Sequence, residues 1–461
     1  MIKKIMRKSS AKNLEPFLFG GAILALLVIA IFFQPRNSYA LPAFARQLDV
    51  NCNECHTVWP RLNSFGRHFM AMGYIQKGAH PGFPIAAKFA TFDQWNTTSS
   101  PPPSSTTNKF LFPNEVTFAI GEAVLPKVGV FGEVNLDQIK NPAGGTEMYA
   151  NFAMERVAIS LSEKHPSSIV FFKGSPFEEV DPNISLGNLI LQNYLTPGTL
   201  GMGYLYDLDD LSDYGVALSS YFTKDNRWYG AVGLSTGGLV SNNDAAIPGN
   251  PFTTGAYGTN DSADGALSYF GRIAYEGDVG QWGGTFNIGA AGYYGEQSST
   301  LQLPGTFYNY NGSIQRTYLD AGLQIPTDMY DSRWFELVAD YGYGQDQNVH
   351  ELNATGTGVL PPFNGEIKGF YAETDWVGFN MVTPFIAYDH TTLTAAPSAG
   401  LEAALGAVNT PSVWTTNTWE YGIQYYPPAS SKMRVQLWYQ PYSDNLGNAG
   451  NQVKIMITKW F

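Results

Sequence analysis

The 461-residue sequence is poor in cysteine, histidine and charge. It holds two Cys and six His, and Asp, Glu, Lys and Arg together make only 14% of it. Two cysteines exclude a disulfide-built scaffold, and no second Cys or Cys/His pair exists to complete a four-ligand zinc site. Beyond residue 40 no run of ~18 apolar residues occurs, so no transmembrane helix is expected there. There is no Gly-x-Ser-x-Gly elbow, no His-Glu-x-x-His and no Walker loop, which removes the common hydrolytic and nucleotide-driven chemistries. The formal net charge of −12 fits no nucleic-acid partner.

What the chain has in quantity is aromatic residues, at 14%, with 27 Tyr and 48 Gly. Few charges with abundant Tyr, Trp, Phe and Gly fit a membrane β-barrel with aromatic girdles, and a large secreted all-β domain is the competing reading. From about residue 110, segments of roughly ten residues alternate with period two between Gly, Pro, Asn and Asp clusters. Met433, Val435, Leu437 and Tyr439 alternate against Lys432, Arg434 and Gln436, and Trp419, Tyr421, Ile423 and Tyr425 against Glu420, Gly422 and Gln424. Phe335, Leu337 and Tyr341 alternate with Glu336 and Asp340, and Tyr269 and Ile273 with Ser268 and Arg272. Charges at every second position cannot face lipid, so they line an interior. The segment from Val453 alternates to a terminal Phe461, resembling the last strand of bacterial outer-membrane barrels, with Lys459 snorkelling at the membrane edge.

The pattern predicts an all-β transmembrane antiparallel barrel of about 16 strands in the outer membrane of a Gram-negative bacterium, in contact with its lipid. Expected strands include Ala86–Trp95, Glu115–Leu125, Val128–Leu136, Met148–Ser162, Tyr214–Thr223 and Arg227–Thr236, with outer loops at Gly237–Asp264 and Val349–Asn364. Thr97–Thr107, with three consecutive prolines, reads as the first outer loop or a linker.

Residues 1–40 read as a secretory signal peptide: Lys3, Lys4, Arg7, Lys8 and Lys12 precede the apolar run Phe17–Phe33 and the small-residue site Ser38-Tyr39-Ala40. An uncleaved membrane anchor is the alternative. Three units are therefore expected: the leader 1–40, a segment 41–85 and the barrel 86–461. Loss of the leader, with six Lys or Arg and one Glu, takes the formal charge from −12 to −17, and such a surface concentrates cations. Acidic clusters at Glu178-Glu179-Asp181 and Asp207-Asp209-Asp210-Asp213 are further candidates for holding a hard cation.

The segment 41–85 contains both cysteines, in Cys52-Asn53-Glu54-Cys55-His56. Two thiols three positions apart can each add to one vinyl group of a porphyrin while the adjacent imidazole reaches its iron. The string is the attachment pattern of one covalently bound c-type haem, with Cys52 and Cys55 as thioethers and His56 as axial ligand. A zinc site and a thioredoxin-type disulfide are the weaker alternatives. For the other axial position the nearby candidates are Met70 or Met72, then His68, with His80 also near. Methionine would favour a high potential. About 45 residues cannot wrap a porphyrin in an independent core, so this short, mainly helical haem segment is expected to plug the barrel lumen.

The stretches Leu41-Pro42-Ala43-Phe44-Ala45-Arg46-Gln47, Cys52–His56, Pro60-Arg61-Leu62-Asn63-Ser64-Phe65-Gly66-Arg67 and Gly73-Tyr74 resemble the cytochrome region of the fused monohaem cytochrome-porin family. That family's best-known members are outer-membrane iron oxidases of iron-oxidising bacteria. The resemblance implies an Fe(II) oxidase that takes single electrons from extracellular Fe(II) and passes them through its haem to a periplasmic cytochrome or copper protein. A porin with a haem-bearing plug, or a conduit for another donor, is the alternative.

Overall fold

A computed structural model of the chain describes residues 43–50, 54–57, 61–76, 84–99, 105–140, 146–174, 213–235, 267–280, 283–303, 306–327, 333–349, 363–378, 382–395, 413–426, 433–445 and 449–460. Two short helices come first, α1 (Ala43–Leu48) and α2 (Ser64–Ala71). Strands β1 (Ile85–Ser99), β2 (Ser105–Leu125), β3 (Val128–Lys140), β4 (Thr146–Ser162), β5 (Ser167–Gly174), β6 (Asp213–Tyr221), β7 (Trp228–Ser235) and β8 (Ser268–Val279) follow. The second half of the wall is β9 (Gly284–Leu303), β10 (Thr306–Pro326), β11 (Trp334–Val349), β12 (Phe363–Val377), β13 (Val382–Ala395), β14 (Val413–Tyr425), β15 (Met433–Asp444) and β16 (Ala449–Trp460).

Every strand pairs antiparallel with the next, and β16 returns to β1 in a continuous register from Lys88 opposite Trp460 to Ser99 opposite Ala449. Closure leaves no open sheet edge, the condition under which β-structure can sit in lipid. The 16 strands agree with the count expected from the alternation.

The two faces of the wall differ chemically. On β14, Trp419, Tyr421, Ile423 and Tyr425 are exposed outward while Glu420 and Gln424 are buried inward; on β8, Tyr269 and Ile273 are exposed while Ser268 and Arg272 are buried. An apolar outer band on a closed barrel is an outer-membrane protein's lipid face. Buried inward Arg272 is paired, forking onto Asp320 at 2.6 and 2.9 Å. On β15, Leu437 and Tyr439 face outward as expected, whereas Met433, opposite Lys459 in the register, is buried.

The two ends differ in their longest connections. One end has only short ones, 126–127, 163–166, 222–227, 280–283, 327–333, 378–381 and 426–432; the other mixes short ones such as 304–305 and 445–448 with the long stretches between Gly174 and Asp213 and between Ser235 and Ser268. Short turns mark the periplasmic end of such barrels and long loops the extracellular one. Observed strands run longer than expected at several ends. Thr97–Ser99 belong to β1 and Ser105–Thr107 to β2, so the ends of the expected loop are strand, and the prolines between these paired strands lie outside the described residues. The leader, all of 237–264, most of 349–364, and the acidic clusters apart from Asp213 lie outside the described residues.

Candidate functional site

Cys55 and His56 form one arm of a tight hairpin. His56 bridges Leu62, the Thr57 N–H donates to the Arg61 carbonyl at 3.0 Å, and the Asn63 N–H donates to the Cys55 carbonyl at 2.8 Å. Asn63 then starts α2: its side-chain oxygen accepts from the Gly66 N–H at 3.0 Å while its amide nitrogen donates to the Glu54 carbonyl at 2.9 Å. One residue thus caps the helix and ties it to the Cys-His turn. The approach is close enough that a Cβ on Gly66 would stand 2.3 Å from the Cys55 carbonyl oxygen. The helix ends in a Schellman pattern, with Gly73 N–H to Met70 and Tyr74 N–H to Phe69 at 2.9 and 3.0 Å, and Gly73 left-handed at φ +72°. Cys52, His80 and His350 lie outside the described residues.

This unit sits inside the barrel, held against two walls by different forces. Toward β2–β4 the contact is aromatic. Phe44 of α1 stacks on Tyr74 at 4.7 Å, meets Phe69 edge-on at 5.4 Å and lies 6.0 Å from Phe131 of β3. Gln47 donates to the Gly121 carbonyl at 2.7 Å, and the Arg156 guanidinium lies 5.5 Å from the Tyr74 ring while hydrogen-bonding its hydroxyl.

Toward β8–β12 the contact is ionic. Arg61 Nη2 donates to Asp375 Oδ2 at 2.6 Å and to Glu373, and its Nη1 lies 3.3 Å from Glu336 Oε2. Thr57 Oγ1 donates to Glu336 at 2.9 Å, and the Tyr371 hydroxyl donates to Glu373. Arg67 forks onto Glu276 with two bonds of 2.8 Å, donates to the Leu62 carbonyl at 2.9 Å, and shares Glu276 with the Tyr221 hydroxyl. Burial opposes the charge on both arginines, but the facing carboxylates outweigh it and hold each guanidinium protonated above its ordinary range.

The partners fix where the unit sits along the axis. Gly121 and Gly73's neighbour Gly129 flank the 126–127 turn, Ala158, against Gly73, precedes the 163–166 turn, Tyr221 precedes 222–227, Glu276 precedes 280–283, Glu336 follows 327–333, and Glu373 and Asp375 precede the turn after Val377. The Cys-His unit therefore occupies the short-turn end of the lumen.

Helix geometry separates the remaining ligand candidates. Gly66 faces Cys55, and Met70, one turn later, shares that face. His68 points the other way, its ring edge-on to Tyr221 at 4.3 Å. Its Nε2 is buried with no hydrogen-bond partner, while the ring bonds the Asn226 backbone. Burial, with Arg67 adding to it and Glu276 opposing it, pushes this imidazole below its ordinary pKa. Met72 is the helix C-cap. His165 lies in the 163–166 turn and His390 on β13, bonded to Asn417 at 2.8 Å, both apart from the hairpin.

Neither any protein-family model nor any curated protein matches the chain. Among solved structures it is similar to OprB of Pseudomonas putida (11% identity, TM-score 0.47, 82% of this chain and 94% of that one) and to OmpF of Salmonella typhi in complex with daunomycin (13%, 0.44, 82% and 97%). It is also similar to a loop-deletion mutant of OmpT of Vibrio cholerae (10%, 0.43, 82% and 98%). The barrel assignment stands on the chain's own closure and outward face.

Sequence reasoning put Glu336 on the inner face but did not find Glu276, Glu373, Asp375 or Tyr221 as the seat of Arg61 and Arg67. The available signal was the three arginines of the 45-residue plug, Arg46, Arg61 and Arg67, since a guanidinium buried inside a barrel needs inward acceptors.

Proposed function

We propose that the protein is an outer-membrane cytochrome-porin of the fused monohaem type that oxidises extracellular Fe(II) and delivers single electrons to a periplasmic cytochrome or copper protein. The observation that carries this reading is the Cys-His hairpin held inside the lumen at the short-turn end by two buried arginines. A covalently bound c-type haem supplies reversible one-electron exchange, so no acid, base or nucleophile is required.

The residues present suit such a group. Cys55 and His56 sit at a turn made compact by Gly66, with Cys52 three positions earlier; these three would hold the group, and Met70, on the helix face toward that turn, would be the favoured second residue on its iron. Arg61, Thr57 and Arg67 hold the hairpin against the wall, which fixes the distance to either aqueous side. On five adjacent strands the inward acids Asp320, Glu336, Asp340, Glu373, Asp375, Asp389 and Glu420 outnumber the arginines that pair with four of them, Arg272 and Arg61, and this surplus favours cations in the lumen. Iron then descends the lumen from the long-loop side, loses one electron, and leaves as Fe(III) without entering the cell, while the carrier meets the short-turn side. This division removes the need for one group to bridge an apolar band ~25 Å tall.

The deciding experiment is the visible spectrum of the purified protein before and after Fe(II), with the double variant Cys52→Ala, Cys55→Ala as control. A sharp reduced α-band in the first and none in the control is the expected outcome. Reduction by dithionite but never by Fe(II) would move the reading to another donor or to a plugged porin.

A further inference from the structure

We infer that three consecutive short turns, 126–127, 163–166 and 222–227, form a rigid basic platform that docks an acidic soluble electron carrier. The inference rests on the reading of the chain as an electron conduit, and it names the carrier's chemistry and the face it uses.

Position comes first. These turns join the strands β2 to β7, the wall on which α1, α2 and the Gly73-Tyr74 end of the plug pack. Tyr221 ends β6 against the His68 ring, and the Asn226 backbone in the next turn bonds the same imidazole. Helix α2 therefore reaches the turn-side solution through this sector.

The sector is also stiff. Asn226 is left-handed at φ 54°, its N–H donates to the Thr223 carbonyl at 3.0 Å, and Thr223 Oγ1 accepts from the N–H groups of Arg227 and Trp228 at 3.1 and 3.2 Å. The Asn226 side chain crosses to the neighbouring turn, donating to the Lys164 carbonyl and accepting from His165 Nδ1, both at 3.1 Å. The Lys127 carbonyl is likewise held by the Ser160 N–H at 2.8 Å. Two of the three lysines thus project from carbonyls pinned by another strand or turn, which lowers the entropy cost of presenting a fixed charge pattern.

Charge gives the partner. Lys127, Lys164 and Lys224 are exposed. Each of the two acids in these turns stands beside a lysine in sequence, Glu163 next to Lys164 and Asp225 next to Lys224, and Asp225 is also 3.1 Å from Arg227, which holds Asp278 as well. With Arg227 counted, four cations face the three acids Glu163, Asp225 and Asp278, so on a chain of net −12 this sector keeps a small positive surplus. Alternate turns lie two strand spacings, about 10 Å, apart, so the three lysines span a face of about 20 Å, suited to one small protein. A complementary acidic face steers such a partner to the plug side of the turn ring.

The test uses the haem-loaded full-length protein in zwitterionic nanodiscs, wild type against Lys127→Glu/Lys164→Glu/Lys224→Glu, which touches neither the hairpin nor its seat. The reduced protein is reoxidised at low ionic strength by ferricyanide, an anion, and by tris(phenanthroline)cobalt(III), a cation. Ferricyanide should slow by about fivefold or more in the variant, with the difference erased by high salt, while the cobalt complex does not slow. Equal ferricyanide rates, or equal slowing of both oxidants, overturn the platform. Fluorescence anisotropy with a labelled deca-glutamate peptide reads the surface without any redox step: wild type should bind and the variant should not, and absence of wild-type binding overturns the inference. A protein without reducible haem would sink the conduit reading alone, since the peptide assay still decides the surface. If the variant loses only its retention on phosphatidylglycerol vesicles, with both other readouts unchanged, the lysines are lipid anchors and the platform is wrong.

Discussion

The plug meets one side of the barrel through aromatic rings and the other through buried ion pairs, and the two contacts teach different things about how a short segment is held. Phe44, Phe69, Tyr74 and Phe131 form a stack whose attraction is non-directional and tolerant of small slips. Arg61 and Arg67 face carboxylates whose positions are set by strand register, Glu336 lying directly opposite Asp375 across β11 and β12. Rings supply area, whereas the forked guanidinium bonds specify orientation and depth. The ionic side is also the brittle one: three carboxylates share the single Arg61, so its loss leaves several buried charges without a cation.

That asymmetry can be broken in order of expected effect. Arg61→Met should cost the docked plug about 3–5 kcal/mol, because the surplus of buried carboxylates loses its only plug cation. Proteolysis of the 54–63 hairpin, and loss of hydrogen-exchange protection in α2, should report this while the barrel keeps its heat-modifiable mobility on gels. An unchanged hairpin would mean that the aromatic side alone holds the plug.

Arg67→Met comes next, at roughly 3 kcal/mol, since it strands one carboxylate and not three. Here the pairing is one to one, so Glu276→Gln added to Arg67→Met should recover a large part of the loss, with a coupling of about 1–3 kcal/mol in a double-mutant cycle on the same exchange readout. Strict additivity would deny the fork its role. Smallest is Phe44→Leu on the opposite wall, expected near 1 kcal/mol because the side chain stays apolar and of similar bulk. A larger effect than for either arginine would reverse the ranking of the two contacts.

Much of the wall was legible in the sequence, and for a clear reason. Period two in a barrel is dictated residue by residue by lipid outside and polar lumen inside, so Trp419 and Tyr421 against Glu420 announce their faces without knowledge of any partner. Strand ends were less legible: β1 and β2 continue to Ser99 and from Ser105, past the point where polar Thr and Ser residues end the alternation, because pairing with a neighbour sustains a strand that its own pattern does not require. In the site, the Cys-Asn-Glu-Cys-His string was readable locally, and the mainly helical character of its segment was expected without helix bounds. The Arg61 and Arg67 partners were not, being more than 200 residues away in the chain and brought near only by closure of the barrel.

The sequence alone therefore determined the class of wall and the strand count and singled out Cys52–His56, the string on which the proposed function rests, since each depends on neighbours within a few positions. Only the tertiary structure decided that the string lies at the short-turn end, that Met70 and not His68 shares the face toward Cys55, and that three lysines line up on adjacent turns. These are relations between strands far apart in the chain, and they exist only once β16 has closed on β1 and the lumen carboxylates have fixed the plug's depth.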